Sequence, residues 1–200
     1  MKKAAGAALL ALLLCSLPAA AHQWVVTLGY ANSGAPEHSA MASGYFAAGG
    51  GYAFGTRVDL AREHFWFGPE FTFWNNVTGD PLVDYNSSYF QAEFGGRASL
   101  RTRTTPALYG GVGAGYAFSH GTSSPRFYSA EKVSFDGDFP VASLHIGAKT
   151  LSRSTGLGLV GEASYHAGLS KARGRNAIGP ARAFLVQIGF VFDIQSASTP

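Results

Sequence analysis

Along most of this chain, apolar and polar positions alternate with a period of two, and no stretch shows a sustained helical period, so the pattern predicts strands. From Trp24 to Tyr30, the residues Trp24, Val26, Leu28 and Tyr30 share one face and Val25, Thr27 and Gly29 the other. The same reading gives segments at Gly44 to Val58, His64 to Trp74, Tyr89 to Arg101, Ala107 to Phe118, Val141 to Leu151, Gly156 to Leu169 and Arg182 to Phe192. That makes eight strands. The connections alternate in length: those from Asp59, Thr102 and Ser152 are short, whereas Ala31 to Ser43, Asn75 to Ser88, Ser119 to Pro140 and Ser170 to Ala181 are long.

The two faces differ in kind. One is aliphatic and aromatic in all eight segments, with Phe67, Phe94, Phe184 and Ile188 among its members. The other collects glycines and hydroxyls together with Glu70, Glu93, Arg97, Arg101, His145, Lys149, Glu162, His166 and Gln187. Closed into a barrel, eight strands leave an interior barely wider than their own side chains, so the bulky face is expected outside and the polar, glycine-rich face inside. An apolar exterior is tolerable only in lipid. The expected fold is therefore all-β: an eight-stranded antiparallel up-and-down transmembrane β-barrel. Short turns and both termini would lie on the periplasmic side, and long loops outside. A two-sheet sandwich that buries the apolar face between its sheets is the soluble alternative. Pro69 falls inside the third strand, and a bulge or register break is expected at Gly68-Pro69.

Composition narrows the partners. Charged residues are 14% of the chain, low for a soluble domain, while aromatics reach 14% and glycines number 26. The net charge of +3 falls to +1 once Lys2 and Lys3 are set aside, which leaves no basic stripe for nucleic acid. Those two lysines, the apolar run Ala4 to Leu14 and Ala19-Ala20-Ala21 have the layout of a secretory leader, so residues 1–21 are expected to be a cleaved signal peptide and 22–200 the barrel domain. The one cysteine, Cys15, lies in the leader. The mature chain then has no disulfide, and neither a metal nor a cofactor is expected.

Four groupings bear on function. Gly156, Gly158 and Gly161 spell a dinucleotide-type fingerprint, but alternation continues through Tyr165, so they are read as small inward residues giving clearance. The inward charges are read as a salt-bridged plug, with a narrow ion path as the alternative. Glu162, Ser164 and His166, and Ser143 with His145, have the residue types of a hydrolase, but their parity sends them into the lumen, away from acyl chains. The chain is thus expected not to be an enzyme, with a lipid A-modifying hydrolase kept as a third reading. Lys171, Arg173 and Arg175 form a basic cluster in the last long loop, a candidate anion site for lipopolysaccharide phosphates or an acidic surface or host ligand.

The run from Leu108 to Phe118, with its alternating glycines, resembles a strand of the small outer-membrane β-barrel domain shared by opacity-type, OmpX-like and OmpA-like proteins. The last strand, Gln187 to Phe192, is similar to the assembly signal that ends such barrels, with Gly189, Phe190 and Phe192 in the expected places. The resemblance implies a Gram-negative outer-membrane location, contact with outer-membrane lipid, lipopolysaccharide and the assembly machinery, and a role in adhesion, envelope structure or tight ion permeation. Asp193 to Pro200 follow the aromatic end, which departs from the family pattern.

Overall fold

The computed structural model describes residues 21–34, 49–62, 64–78, 83–99, 106–125, 133–152, 154–170, 173 and 182–194. They form β1 (Ala21–Gly34), β2 (Gly49–Arg62), β3 (Phe65–Thr78), β4 (Val83–Ser99), β5 (Ala107–Pro125), β6 (Val133–Lys149), β7 (Leu157–Gly168) and β8 (Arg182–Asp193). Each strand pairs antiparallel with its sequence neighbour and β1 closes onto β8, so the sheet is a barrel rather than a sandwich. Of the expected leader, residues 1–20 lie outside the described residues, and Ala21 opens β1.

Register fixes the shape. Stepping from partner to partner around the wall, Ala21 leads through Ala61, Trp66, Arg97, Gly111, His145, Ser164 and Leu185 back to Ala31, ten residues further along β1. A stagger of ten over eight strands tilts them by about 40° and gives a backbone radius of roughly 8 Å, which side chains alone can fill.

Sidedness follows the alternation. Leu28, Phe94, Val112, Leu144, Leu159 and Ile188 stand outward, the last 72% exposed, while Glu70, Glu93, Arg97, His145, Glu162 and His166 are buried. A continuous apolar belt of this kind is rare on soluble monomers and is matched to hydrocarbon. Along β3 it runs from Phe65 to Asn75, about 25 Å at this tilt, the height of such a band. Aromatic rings mark both borders: Trp24 packs on Phe192 (5.7 Å between centroids) near the short turns, and Tyr52 on Phe73 (6.0 Å) near the loops.

Four expectations are corrected. Much of 75–88 and 119–140 is strand: β5 has nineteen residues and pairs with β6 from Ala107–Lys149 to Ser123–Val133. Nineteen residues climb roughly 45 Å, so β4, β5 and β6 rise well above the apolar band as a wall. Small and polar residues on both sides of that wall, such as Ser87, Gly121 and Gly137 inside and Ser88, His120 and Asp136 outside, erase the alternation. Second, no bulge forms at Pro69. Val58 and Pro69 do not pair, but Arg57–Glu70 before the gap and Leu60–Phe67 after it hold one register. The proline costs a ladder bond, and Gly68 lets the strands stay close: a Cβ there would sit 1.9 Å from the Val58 carbonyl oxygen. Third, Gly161 faces outward into open space, whereas Gly158 faces inward and Gly156 takes a turn at φ 64°. Fourth, bulky aromatics do enter the lumen: Trp66, Trp74, Tyr89, Tyr109 and Phe139 are all buried.

Candidate functional site

The lumen is layered from one mouth to the other. Toward the short turns, Val25, Trp66, Tyr109, Val160 and Val191 form an apolar floor. Toward the loops, Ala31, Ala53, Trp74, Tyr89, Ala117, Phe139, Val141, Ala183 and Leu185 form an apolar lid, with the rings of Trp74 and Tyr89 stacked at 5.2 Å. Both layers fit inside a narrow barrel because alanines and glycines face the rings. At Gly147, for instance, a Cβ would sit 2.6 Å from the Tyr109 ring.

Between lid and floor lies a charged network whose centre is Glu162 on β7. Its carboxylate accepts hydrogen bonds from Arg57 Nη1 and Arg97 Nε at 3.0 Å, Arg97 Nη2 at 3.1 Å and Tyr109 Oη at 2.7 Å. His145 Nδ1 lies 3.0 Å from Glu162 Oε1. Arg97 Nη2 also donates to Glu70 Oε2 at 2.6 Å, and Arg57 Nε reaches Asp59 Oδ1 at 3.2 Å. Above, Glu93 Oε2 accepts from Gln91 Nε2 at 2.6 Å and Ser143 Oγ at 2.7 Å. Glu93 Oε1 lies 3.2 Å from His145 Nε2, near enough for attraction but poorly aligned for a hydrogen bond. Among the described lumen residues, Arg57, Arg97 and Lys149 face Asp59, Glu70, Glu93 and Glu162, one carboxylate in excess. His145, wedged between Glu93 and Glu162, is the group placed to meet that excess.

The other candidates sit at the edges of this network. Lys149 donates to Gln23 Oε1 at 2.8 Å, lies 3.7 Å from Asp59 and stands 3.7 Å above the Trp66 ring, a cation–π contact in the floor. His166 pairs with Ser164 Oγ (2.8 Å) and Gln91 Oε1 (3.1 Å) under the lid. Gln187 is buried on β8 with its Nε2 unpartnered. Arg101 lies outside the described residues. Sequence reasoning missed Arg57, Asp59, Gln23 and Gln91, although Arg57 and Gln91 have inward parity. Asp59 was hidden because a lone acid next to a turn looks like part of the turn.

Glycines shape the network's bed. On the inner face of β5, a Cβ at Gly111 would meet Arg97 Cγ at 2.5 Å, and one at Gly113 would meet Ser143 Oγ at 2.5 Å and Glu93 Cδ at 2.9 Å. The glycine row of β5 is the mould against which the long charged side chains of β4 lie.

Two consequences follow for chemistry. Ser143 Oγ, His145 and Glu162 have the order of a hydrolytic triad, with Ser143 Oγ 2.8 Å from His145 Nε2. All three are sealed between lid and floor, where no ester can reach. Glu70, His145 and Glu162 also bring ligand atoms close together, but the two guanidiniums occupy their lone pairs, so these residues do not fit a cation.

At the outer rim, Tyr116 Oη donates to Asp138 Oδ2 and His120 Nδ1 pairs with Asp136 Oδ1. Arg173 is tied to the wall by two backbone bonds of 2.9 Å with Asp138. Its companions in the basic cluster, Lys171 and Arg175, lie outside the described residues. In β8, Phe190 and Phe192 face outward, and Gly189 lets β1 close: a Cβ there would sit 1.9 Å from the Val26 carbonyl oxygen.

No family model matches the sequence, and no curated protein matches it. Solved structures do match the fold. The attachment invasion locus protein Ail of Yersinia pestis, solved in complex with the heparin analogue sucrose octasulfate, superposes with a TM-score of 0.53 at 16% identity, over 86% of this chain and 99% of that one. Neisserial surface protein A superposes with a TM-score of 0.56 at 11% identity, over 86% of this chain and 97% of that one.

Proposed function

We propose, from the premise that the chain has the fold of the small outer-membrane β-barrels, that it is an outer-membrane surface protein anchored by a filled barrel and acting through its extracellular rim and loops. The observation that carries this reading is the combination of a lipid-matched exterior with a lumen closed by aromatic layers at both mouths. With the outside given to hydrocarbon and the inside to its own ion pairs, the surface left for a partner is the wall of β4, β5 and β6 above the band and the loops beside it. Assembly would read Gly189, Phe190 and Phe192, after export by the leader 1–21.

The partner chemistry that fits best is anionic. Arg173 is held at the rim, and Lys171 and Arg175 flank it in sequence. Ail was solved with a polysulfated sugar, so lipopolysaccharide phosphates or a sulfated surface glycan are the ligands to try. A tag placed between residues 126 and 132 is expected to be reached by antibody on intact cells; labelling that needs permeabilisation would sink the topology. Joint neutralisation of Lys171, Arg173 and Arg175 is expected to weaken retention on immobilised anionic glycan, and unchanged retention would remove these residues from the site. A narrow pore is the second reading. It requires the lid and floor to part, and planar-bilayer conductance separates it from the first.

A further inference from the structure

Outside the lumen, the wall carries a row of side chains that the buried network does not use. Ser88 on β4 stands directly opposite His120 on β5, and His120 directly opposite Asp136 on β6, so the three lie side by side across adjacent strands. They face away from the lumen, since the residues of opposite parity beside them, Ser87, Gly121 and Gly137, are the buried ones. His120 Nδ1–H donates to Asp136 Oδ1. A carboxylate accepts, so this pairing engages Nδ1 as the donor and leaves Nε2, the other ring nitrogen, unengaged by Asp136. Side chains directly opposite in a ladder have Cβ atoms about 5 Å apart, a separation that a seryl hydroxyl and an imidazole nitrogen bridge by rotation.

The surroundings suit an amphiphile. Phe73, Phe90 and Phe118, at the upper border of the apolar belt, line a cleft of about 580 Å³ that Ser88, His120, Asp136 and Arg173 also line. An acyl chain rising from the outer leaflet meets the phenyl rings first and the polar row next. An anionic headgroup then lies beside Arg173. Unlike the sealed Ser143–His145–Glu162 set, His120 and Asp136 are 70% and 62% exposed, so ester and water can both arrive.

We propose that Ser88, His120 and Asp136 form a serine-hydrolase site for acyl esters of outer-leaflet amphiphiles, an activity beyond the surface role above. Ser88 Oγ attacks the ester carbonyl carbon while its proton passes to His120 Nε2. The bond from that carbon to the alcohol oxygen breaks, and the departing alkoxide takes the proton. Water then attacks the acyl-Ser88 ester, giving its proton to His120, and the fatty acid leaves as Ser88 Oγ is reprotonated. Asp136 holds the ring in the required tautomer and balances its charge during each transfer. Nothing beyond ester and water is consumed.

The test uses the full mature protein folded in detergent micelles, its folded state read from heat-modifiable gel migration. 4-Nitrophenyl palmitate is expected to be hydrolysed in preference to 4-nitrophenyl acetate. Ser88→Ala and His120→Gln each lower the rate by about 100-fold or more, and Ser154→Ala, at the opposite mouth, leaves it unchanged. A fluorophosphonate probe is expected to add its mass to the peptide carrying Ser88 in the folded protein and not in Ser88→Ala. Undiminished hydrolysis by folded Ser88→Ala, or no label at Ser88 in protein that migrates as folded, overturns the proposal.

Discussion

Replacing Glu162 by glutamine keeps the shape of the side chain and removes its charge. Two guanidiniums and a phenol hydroxyl converge on this carboxylate, and every partner is buried. An amide has one oxygen to offer where four donated bonds now end on two, and its NH₂ group points donors at donors. Breaking a buried ion pair while leaving its partner charged costs about 3–5 kcal/mol. With a urea dependence of about 2 kcal/mol per molar, the midpoint of unfolding falls by roughly 2 M. The assay is urea unfolding of the mature protein in lipid vesicles, scored by loss of the heat-modifiable gel species. Because Arg57→Gln and Glu162→Gln both remove the same Arg57–Glu162 pair, the double variant should lose less than the sum of the two single losses; a coupling of about 1.5 kcal/mol or more is expected. A midpoint within about 0.3 M of the parent, or strictly additive changes, would refute the view that this carboxylate is the hub of the lumen.

Three further outcomes follow. Gly113→Ala places a methyl where Ser143 Oγ and Glu93 now are, 2.5 and 2.9 Å away, and is expected to lower stability by about 1–3 kcal/mol in the same assay. Ile188→Arg puts a charge in the middle of the lipid-facing belt and is expected to cost about 2–4 kcal/mol in vesicles; a neutral result would mean that β8 does not face hydrocarbon there. Trp74→Ala opens the lid, yet single-channel recordings are expected to stay silent, because the ion network and the Trp66–Tyr109 floor (5.8 Å between rings) still close the bore.

How much of this was legible in the sequence depended on where water reaches. Inside the apolar band one face is dry and greasy, and the period of two gave both strand identity and sidedness for Phe94, Ile188, Glu93 and Arg97. Above the band the inner face holds Ser87, Gly121 and Gly137 and the outer face Ser88, His120 and Asp136, so small and polar residues fall on both and β5 beyond Phe118 and β6 before Val141 read as loop. Expecting the bulky face outside left little room inside for Trp66, Trp74 and Tyr109, which fit because glycine and alanine stand opposite them. The pairing of Glu162 with Arg57, 105 residues away, and the row of Ser88, His120 and Asp136 depend on register, which alternation leaves free to slide by two.

The charged side chains of this layer come from five of the eight strands, β2, β3, β4, β6 and β7, and Tyr109 adds a hydroxyl from β5. In a half-built, open sheet Glu162 on β7 lacks Arg57 and Arg97, which reach it across the lumen from β2 and β4, and hydrocarbon rejects the bare charges. That cross-lumen set is complete only when the last strand zips to the first. A barrel of this design therefore has no comfortable resting point during insertion: its own interior acts as a checkpoint that admits the completed cylinder to the membrane and returns fragments to the aqueous side.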